Sequence, residues 1–192
     1  VFATERRDKR WRDAHARYIR SKTGGGHWER YKNVPDVWSI NYDDLTFNLK
    51  PMGFKHTGLF PEQATNWDLM REIIEKSDRQ LNVLNLFGYT GGATVACLKS
   101  GANVTHVDAS KGMVAWGKDN AISSGVADKS VRWLVDDCGK FNVNKLDVFV
   151  ELLGNKVHNF NVNANNVFAF VIFKGSEECI CVNDDLVVLK AG

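Results

Sequence analysis

The sequence predicts an α/β fold built on a parallel sheet with flanking helices, preceded by a small basic extension. Three observations predict it. An apolar run at residues 81–87 stops at a glycine turn, Gly88-Tyr89-Thr90-Gly91-Gly92, and a helix-forming stretch follows at once. The same strand-then-helix pattern recurs downstream at 103–124, and a third strand-like run follows at 131–135. Acids stand just past both of those later strand-like runs, Asp108 and Asp137. Strand–helix repeats of this length imply parallel pairing, and ligands of such sheets sit over the carboxyl ends of the strands.

Each element follows in chain order. Residues 5–20 place Trp11, Ala14, Tyr18 and Ile19 at helical spacing, which predicts a basic helix ended by Gly24-Gly25-Gly26. His27-Trp28-Glu29-Arg30-Tyr31 reads either as a surface that stacks bases and holds phosphates, or as a hairpin closed by a buried Trp; the hairpin is favoured. Residues 37–42 and 45–50 alternate around Asp43-Asp44 and predict a β-hairpin. Residues 53–64 read as loop. Asn66 is expected to cap a helix running to about Ser77, with Leu69, Met70, Ile73 and Ile74 inward. Strand 81–87 then leads into helix 92–99, closed by Gly101. Strand 103–107 leads into a helix from Ser110 to Ser124, closed by Gly125, and strand 131–135 follows.

The composition changes after Phe141. Residues 142–192 contain no Arg, Trp, Tyr or Pro, and Asn is dense over 155–166. Runs at 167–173, 178–182 and 185–189 look like strands with no helix between them, which predicts a meander. The expected organisation is therefore a basic extension with hairpin and lid loop over 1–64, a cofactor-binding core over 65–141, and a divergent β-rich tail over 142–192.

Composition narrows the class. Hydrophobic content of 44% and charged content of 25% are ordinary for a soluble globular protein. No apolar run approaches the length of a bilayer span. The expectation is a cytoplasmic protein with no membrane partner. The chain opens on Val1, which predicts a fragment or a processed product. Net charge is +2, but residues 1–32 hold ten Lys/Arg against four acids, a local balance of +6 that leaves −4 elsewhere. Such an arm suits an anionic partner such as RNA, or forms a solvated face with internal Arg–Asp pairs. Cys97, Cys138, Cys179 and Cys181 fit no zinc spacing and read as reduced thiols. No metal site is expected.

The turn at 88–92 departs from two well-known phosphate loops. A dinucleotide pattern starting at Gly88 needs glycine at Thr90 and Ala93, and no Gly-Lys-Ser/Thr follows for a P-loop. The wording Leu84-Asn85-Leu86-Phe87-Gly88-Tyr89-Thr90-Gly91-Gly92 instead resembles motif I of class I S-adenosylmethionine (SAM) methyltransferases. More narrowly, it is similar to the branch that includes 23S rRNA cytosine methyltransferases. In that branch Asn85 stands where other methyltransferases carry an acid, and Gly91 matches the last motif glycine. The stretch Lys55-His56-Thr57-Gly58-Leu59-Phe60-Pro61-Glu62-Gln63 resembles the family's pre-motif, which folds over the cofactor; Ala64 stands where rRNA-acting members often have Arg. Val107-Asp108-Ala109-Ser110 resembles motif II, whose acid binds ribose. Residues 134–141 resemble motif III, whose acid reads the adenine amino group, and the spacing to Phe141 favours Asp137 over Asp136. The likeness covers roughly residues 10–141.

The resemblance implies a Rossmann-like methyltransferase core, with an incomplete sheet, that binds SAM. It places the cofactor against Thr57, Phe60, Gln63, Asn85, Phe87, Gly88, Tyr89, Thr90, Gly91, Gly92, Asp108, Ala109, Ser110, Asp137 and Cys138. It also implies an RNA substrate, ribosomal by branch, met by the basic N-terminal segment. The catalytic residues are not named, because the family's fourth strand ends in Asp-Pro-Pro and this chain has none. Residues 145–151 resemble that strand but continue Leu152-Leu153-Gly154, and all three prolines, Pro35, Pro51 and Pro61, lie earlier. The expected function is a SAM-dependent RNA methyltransferase with an incomplete catalytic pocket. The rivals are an inactive SAM-binding or RNA-binding remnant, and an NAD(P)-dependent oxidoreductase, whose ribose Asp108 also suits.

Overall fold

The computed structural model describes residues 12–53, 55–138, 148–153 and 168–173. The chain divides into two compact units, residues 1–40 with 48–59 and residues 41–47 with 60–192.

In the first unit β1 (Ala16–Arg20) pairs antiparallel with β2 (Gly26–Arg30). Residues 16–20 are therefore strand and not helix; residues 5–11 lie outside the described residues. The reason is the turn. Gly24 and Gly25 take left-handed φ of 99° and 72°, which folds the chain back on itself. That return sets Tyr18 opposite Trp28, and their rings meet edge-to-face at 5.4 Å. Trp28 donates its indole N–H to the Met52 carbonyl at 2.8 Å, so residues 26–30 form the hairpin strand, but Trp28 is half-buried and not the fully buried Trp expected. Backbone bonds from Lys50 to Thr57 and from Met52 to His56 close the loop that follows.

Strands β3 (Trp38–Tyr42) and β4 (Leu45–Leu49) pair in a two-stranded sheet around Asp43-Asp44, as the alternation predicts, with Asp43 at φ 51°. The tip of this hairpin belongs to the second unit. Leu45 and Phe47 are fully buried there, and the Trp67 ring lies 5.2 Å from Phe47 and 5.7 Å from Tyr42. The Ser124 hydroxyl accepts from Thr46 N and donates to Thr46 O, both at 2.9 Å. Arg71 binds the carboxylates of Asp43 and Asp44.

Helix α1 (Ala64–Glu75) begins two residues before Asn66, directly after a short 3₁₀ turn at Pro61–Gln63. Proline presets φ for that turn and starts the helical path early. Asn66 is thus inside the helix and donates to the Gln63 side chain at 2.9 Å. The buried face carries Met70 and Ile74 as expected, and also Trp67, while Leu69 and Ile73 are only half-buried.

The core runs β5 (Asn82–Leu86), α2 (Gly92–Lys99), β6 (Asn103–Asp108), α3 (Lys111–Ser123) and β7 (Val131–Val135). Each element lies within a residue or two of its sequence-based bounds. Two more strands join this sheet, β8 (Val148–Leu153) and β9 (Phe168–Phe173). The order is β7-β6-β5-β8-β9 with every described pairing parallel. The first run of the expected meander is β9, which pairs parallel with β8; the runs at 178–182 and 185–189, with which the meander would be formed, lie outside the described residues. Sheet growth runs from β5 through β6 to β7 on one side and continues with β8 on the other. That makes the gap between the carboxyl ends of β5 and β8 the topological switch point, where α/β sheets hold their ligands.

Candidate cofactor site

β5 delivers the glycine turn to that switch point. Three residues of the turn are left-handed, Phe87 at φ 53°, Tyr89 at 51° and Gly91 at 81°. Two of them are not glycine, so neighbouring contacts must hold them. Phe87 N donates to the Cys138 sulfur at 3.2 Å, Gly88 N to Val107 O at 3.0 Å, and Tyr89 N to Asp108 Oδ2 at 2.9 Å. Gly91 N closes the turn on Gly88 O at 2.9 Å. Gly88 itself is required by space: a Cβ there would lie 2.4 Å from Cε1 of His106.

Beneath the turn lies a buried polar row. The Asn85 amide donates to Thr94 Oγ1 at 2.8 Å, and that hydroxyl meets His106 Nδ1 at 2.9 Å. Burial pushes His106 down to about 4, so its imidazole is neutral at physiological pH. Its ring packs on Trp133 with centroids 4.6 Å apart. Among the described residues Asn85 Oδ1 and His106 Nε2 are buried with no hydrogen-bond partner.

β6 ends in Asp108. One carboxylate oxygen accepts Tyr89 N and the other accepts Ser110 N at 2.8 Å. Each oxygen keeps acceptor capacity, since a carboxylate offers about four lone-pair sites. Ser110 caps α3 by accepting Met113 N, and Ala109 is exposed beside it. β7 ends in Val135; Asp136 N donates to Asp108 O at 3.2 Å, and Asp137 is exposed. The Cys138 thiol is buried and also reaches Val107 O at 3.6 Å. Burial raises its pKa, so it is a protonated tie between the ends of β5, β6 and β7 and not an activated nucleophile.

Most of the residues singled out from the sequence meet in the second unit. Phe60 lies against Tyr89, their rings 5.1 Å apart, and burial raises the Tyr89 phenol. Thr90 is buried, its carbonyl accepting from Asn120 at 2.8 Å. Gly91 and Gly92 are small because backbone and ring press on them: a Cβ would lie 3.2 Å from Gly117 Cα in the first case and 2.9 Å from Trp67 in the second. Gln63 turns its side chain to Asn66. Thr57 belongs to the first unit, where its carbonyl accepts Lys50 N. Sequence reasoning missed His106, Gly117 and Asn120. The available signal was Gly117 three residues before Asn120, the spacing that puts a small and a polar residue on one helix face.

No family model matches the chain. Among curated proteins it is similar to ribosomal RNA large subunit methyltransferase K/L of Colwellia psychrerythraea, 30% identical over 129 residues, or 65% of this chain and 18% of that protein. The Shewanella baltica protein of the same name is 38% identical over 93 residues, 48% of this chain and 13% of its own length. The chain thus spans less than a fifth of the curated relatives it matches. Among solved structures, a SAM-dependent methyltransferase from Agrobacterium tumefaciens superposes with a TM-score of 0.71 at 33% identity, covering 76% of this chain and 49% of that one. The Pyrococcus abyssi tRNA (uracil-54, C5)-methyltransferase, solved with S-adenosyl-L-homocysteine (SAH), shares the fold at TM-score 0.50 and 17% identity, covering 74% and 35%.

The fold is the Rossmann-like core seen in class I SAM-dependent methyltransferases, and the curated relatives named above are rRNA methyltransferases, the type that the motifs resemble. SAM is the cofactor of this class. The relatives and neighbours named above are methyltransferases, which leaves the oxidoreductase reading of Asp108 without support. No helix among the described residues is long and apolar enough to cross a membrane.

Proposed function

We propose that this chain carries the cofactor-binding part of a SAM-dependent methyltransferase acting on RNA, ribosomal RNA by kinship, in the cytoplasm. One observation supports the cofactor site above the rest. The segments that leave three adjacent strands are tied by hydrogen bonds: Phe87 N donates to Cys138 Sγ, Tyr89 N to Asp108 Oδ2, and the Cys138 thiol to Val107 O. The residues suit SAM. The N-terminus of α2 favours an anionic group such as the cofactor's α-carboxylate. Asp108 has acceptor capacity for the ribose hydroxyls, and Asp137 is an exposed acceptor for the adenine amino group. Phe60 and Tyr89 offer an aromatic wall beside the turn, and Thr57 and Gln63 are assigned to the lid by resemblance. SAM supplies an electrophilic methyl group, and the protein's share of the work is to align it with a substrate nucleophile.

The RNA assignment rests on the names of the relatives and on the cationic N-terminal segment. Arg17, Arg20 and Lys22 are exposed on the β1–β2 hairpin. Because the chain lacks Asp-Pro-Pro after β8, cofactor binding is expected to outlast turnover in this chain. Tritium transfer from labelled SAM to unmodified rRNA tests the activity. The reading expects slow, RNA-dependent labelling lost in Asp108→Ala. Labelling that is equal with and without the Asp108 carboxylate contradicts it.

A further inference from the structure

The Thr90–Gly91 peptide is bonded at both of its ends. Its carbonyl accepts the Asn120 amide at 2.8 Å, and its N–H donates to Gly88 O at 2.9 Å. In a trans peptide these two groups point in opposite directions, so two bonds fix the rotation of the whole plane. That plane sets Gly91 at φ 81°, and Gly91 is the residue from which α2 departs. The direction of the first N–H groups of α2 is therefore decided by this one peptide.

Asn120 reaches the peptide because α3 comes unusually near. Gly117 lies one turn before it on the same face. A Cβ on Gly117 would stand 2.8 Å from the Trp133 ring and 3.6 Å from the Thr90 carbonyl carbon. Gly117 thus lets helix backbone approach turn backbone, and Asn120 supplies the donor that a solvent-free carbonyl needs. Both Asn120 and Thr90 are at most 1% exposed, so water does not compete for this bond.

We propose that Asn120 is a positioning residue for the cofactor: by holding the Thr90 carbonyl it aims the N-terminus of α2 at the SAM site. This rests on the cofactor reading given above. It assigns a role in binding to a side chain from α3 that lies beneath the turn and outside the cofactor-contacting set.

The test is calorimetric SAH affinity of the whole 192-residue chain, with thermal unfolding measured in parallel. Asn120→Asp keeps the shape and turns a donor into an acceptor facing a carbonyl. SAH affinity should fall at least tenfold at pH 7.5. The deficit relative to wild type should narrow toward pH 5.5, as the introduced carboxyl takes up a proton and donates its O–H to Thr90. Asn120→Ala should show the tenfold loss without the recovery, and it decides the matter if Asn120→Asp does not fold. Ile74→Val, a core change on α1 away from the turn, should lower the unfolding temperature and leave affinity within twofold. The inference is overturned if a folded Asn120 variant binds SAH within twofold of wild type, or if Ile74→Val loses as much affinity. A wild-type chain that binds no SAH overturns the cofactor reading itself, and this inference with it.

Discussion

Asp108 accepts the backbone N–H of Tyr89 at 2.9 Å, so the acid at the end of β6 builds the turn at the end of β5. The same carboxylate accepts Ser110 N at the start of α3. It is therefore a structural residue before any cofactor arrives. Asp108→Ala should lower stability by roughly 1–3 kcal/mol in cofactor-free protein, the cost of two orphaned N–H groups and the loss of charge-assisted bonds. Urea unfolding without SAM measures this. A variant as stable as wild type would show that Tyr89 is held in its left-handed conformation by other means.

His106 gives the fold a pH dependence of defined sign. Its pKa is about 4 when folded and 6.5 at the ordinary value. Between those values the unfolded chain takes up a proton that the folded chain refuses, so stability is full above about pH 6.5 and falls as pH drops toward 4. The loss at pH 4 should be on the order of 3 kcal/mol. Because carboxylates titrate in the same range, the measurement is the difference in pH–stability curves between wild type and His106→Leu. The variant should be the flatter of the two over pH 4–6.5; parallel curves would mean that His106 is not held neutral.

Two glycines should respond in opposite directions. Gly88→Ala puts a methyl 2.4 Å from the His106 ring inside a packed layer. It should cost about 1–3 kcal/mol through overpacking. Gly112, on the exposed start of α3, has only Ser110 Oγ nearby, at 3.8 Å. Gly112→Ala should leave stability unchanged or raise it by roughly 0.5–1 kcal/mol, the helix cost of glycine. Thermal melts of the pair decide it, and a neutral Gly88→Ala would remove the steric account of the turn.

What the sequence made legible was local. The elements from β5 to β7 were readable because each carries its own signal: apolar runs, glycine at the helix ends, and Ser110 before α3. β1 was not, because Ala-Arg-Tyr-Ile-Arg is as acceptable in a helix as in a strand, and only the partner Trp28 across Gly24-Gly25 decides between them. The parallel pairing of β8 and β9 was hidden for the same reason, since pairing partners are not encoded in either segment alone. Within the site, Asp108 was legible by position at a strand end. Asn120 was not. A polar residue inside a helix announces burial or exposure only through its neighbours, and the Thr90 carbonyl it serves is 30 residues away in sequence. Cys138 was readable as a core thiol, but not as the tie between three strand ends.

The central claim is that the turn at 88–92 and Asp108 form one SAM site, and SAH binding measures it most directly. Titration of SAH into the wild-type chain should give a single site. Asp108→Ala should weaken it by about 1.5–3 kcal/mol, roughly 10- to 150-fold, at a temperature where both proteins are folded. Equal affinity in the two folded proteins, or no binding to wild type, would contradict the account.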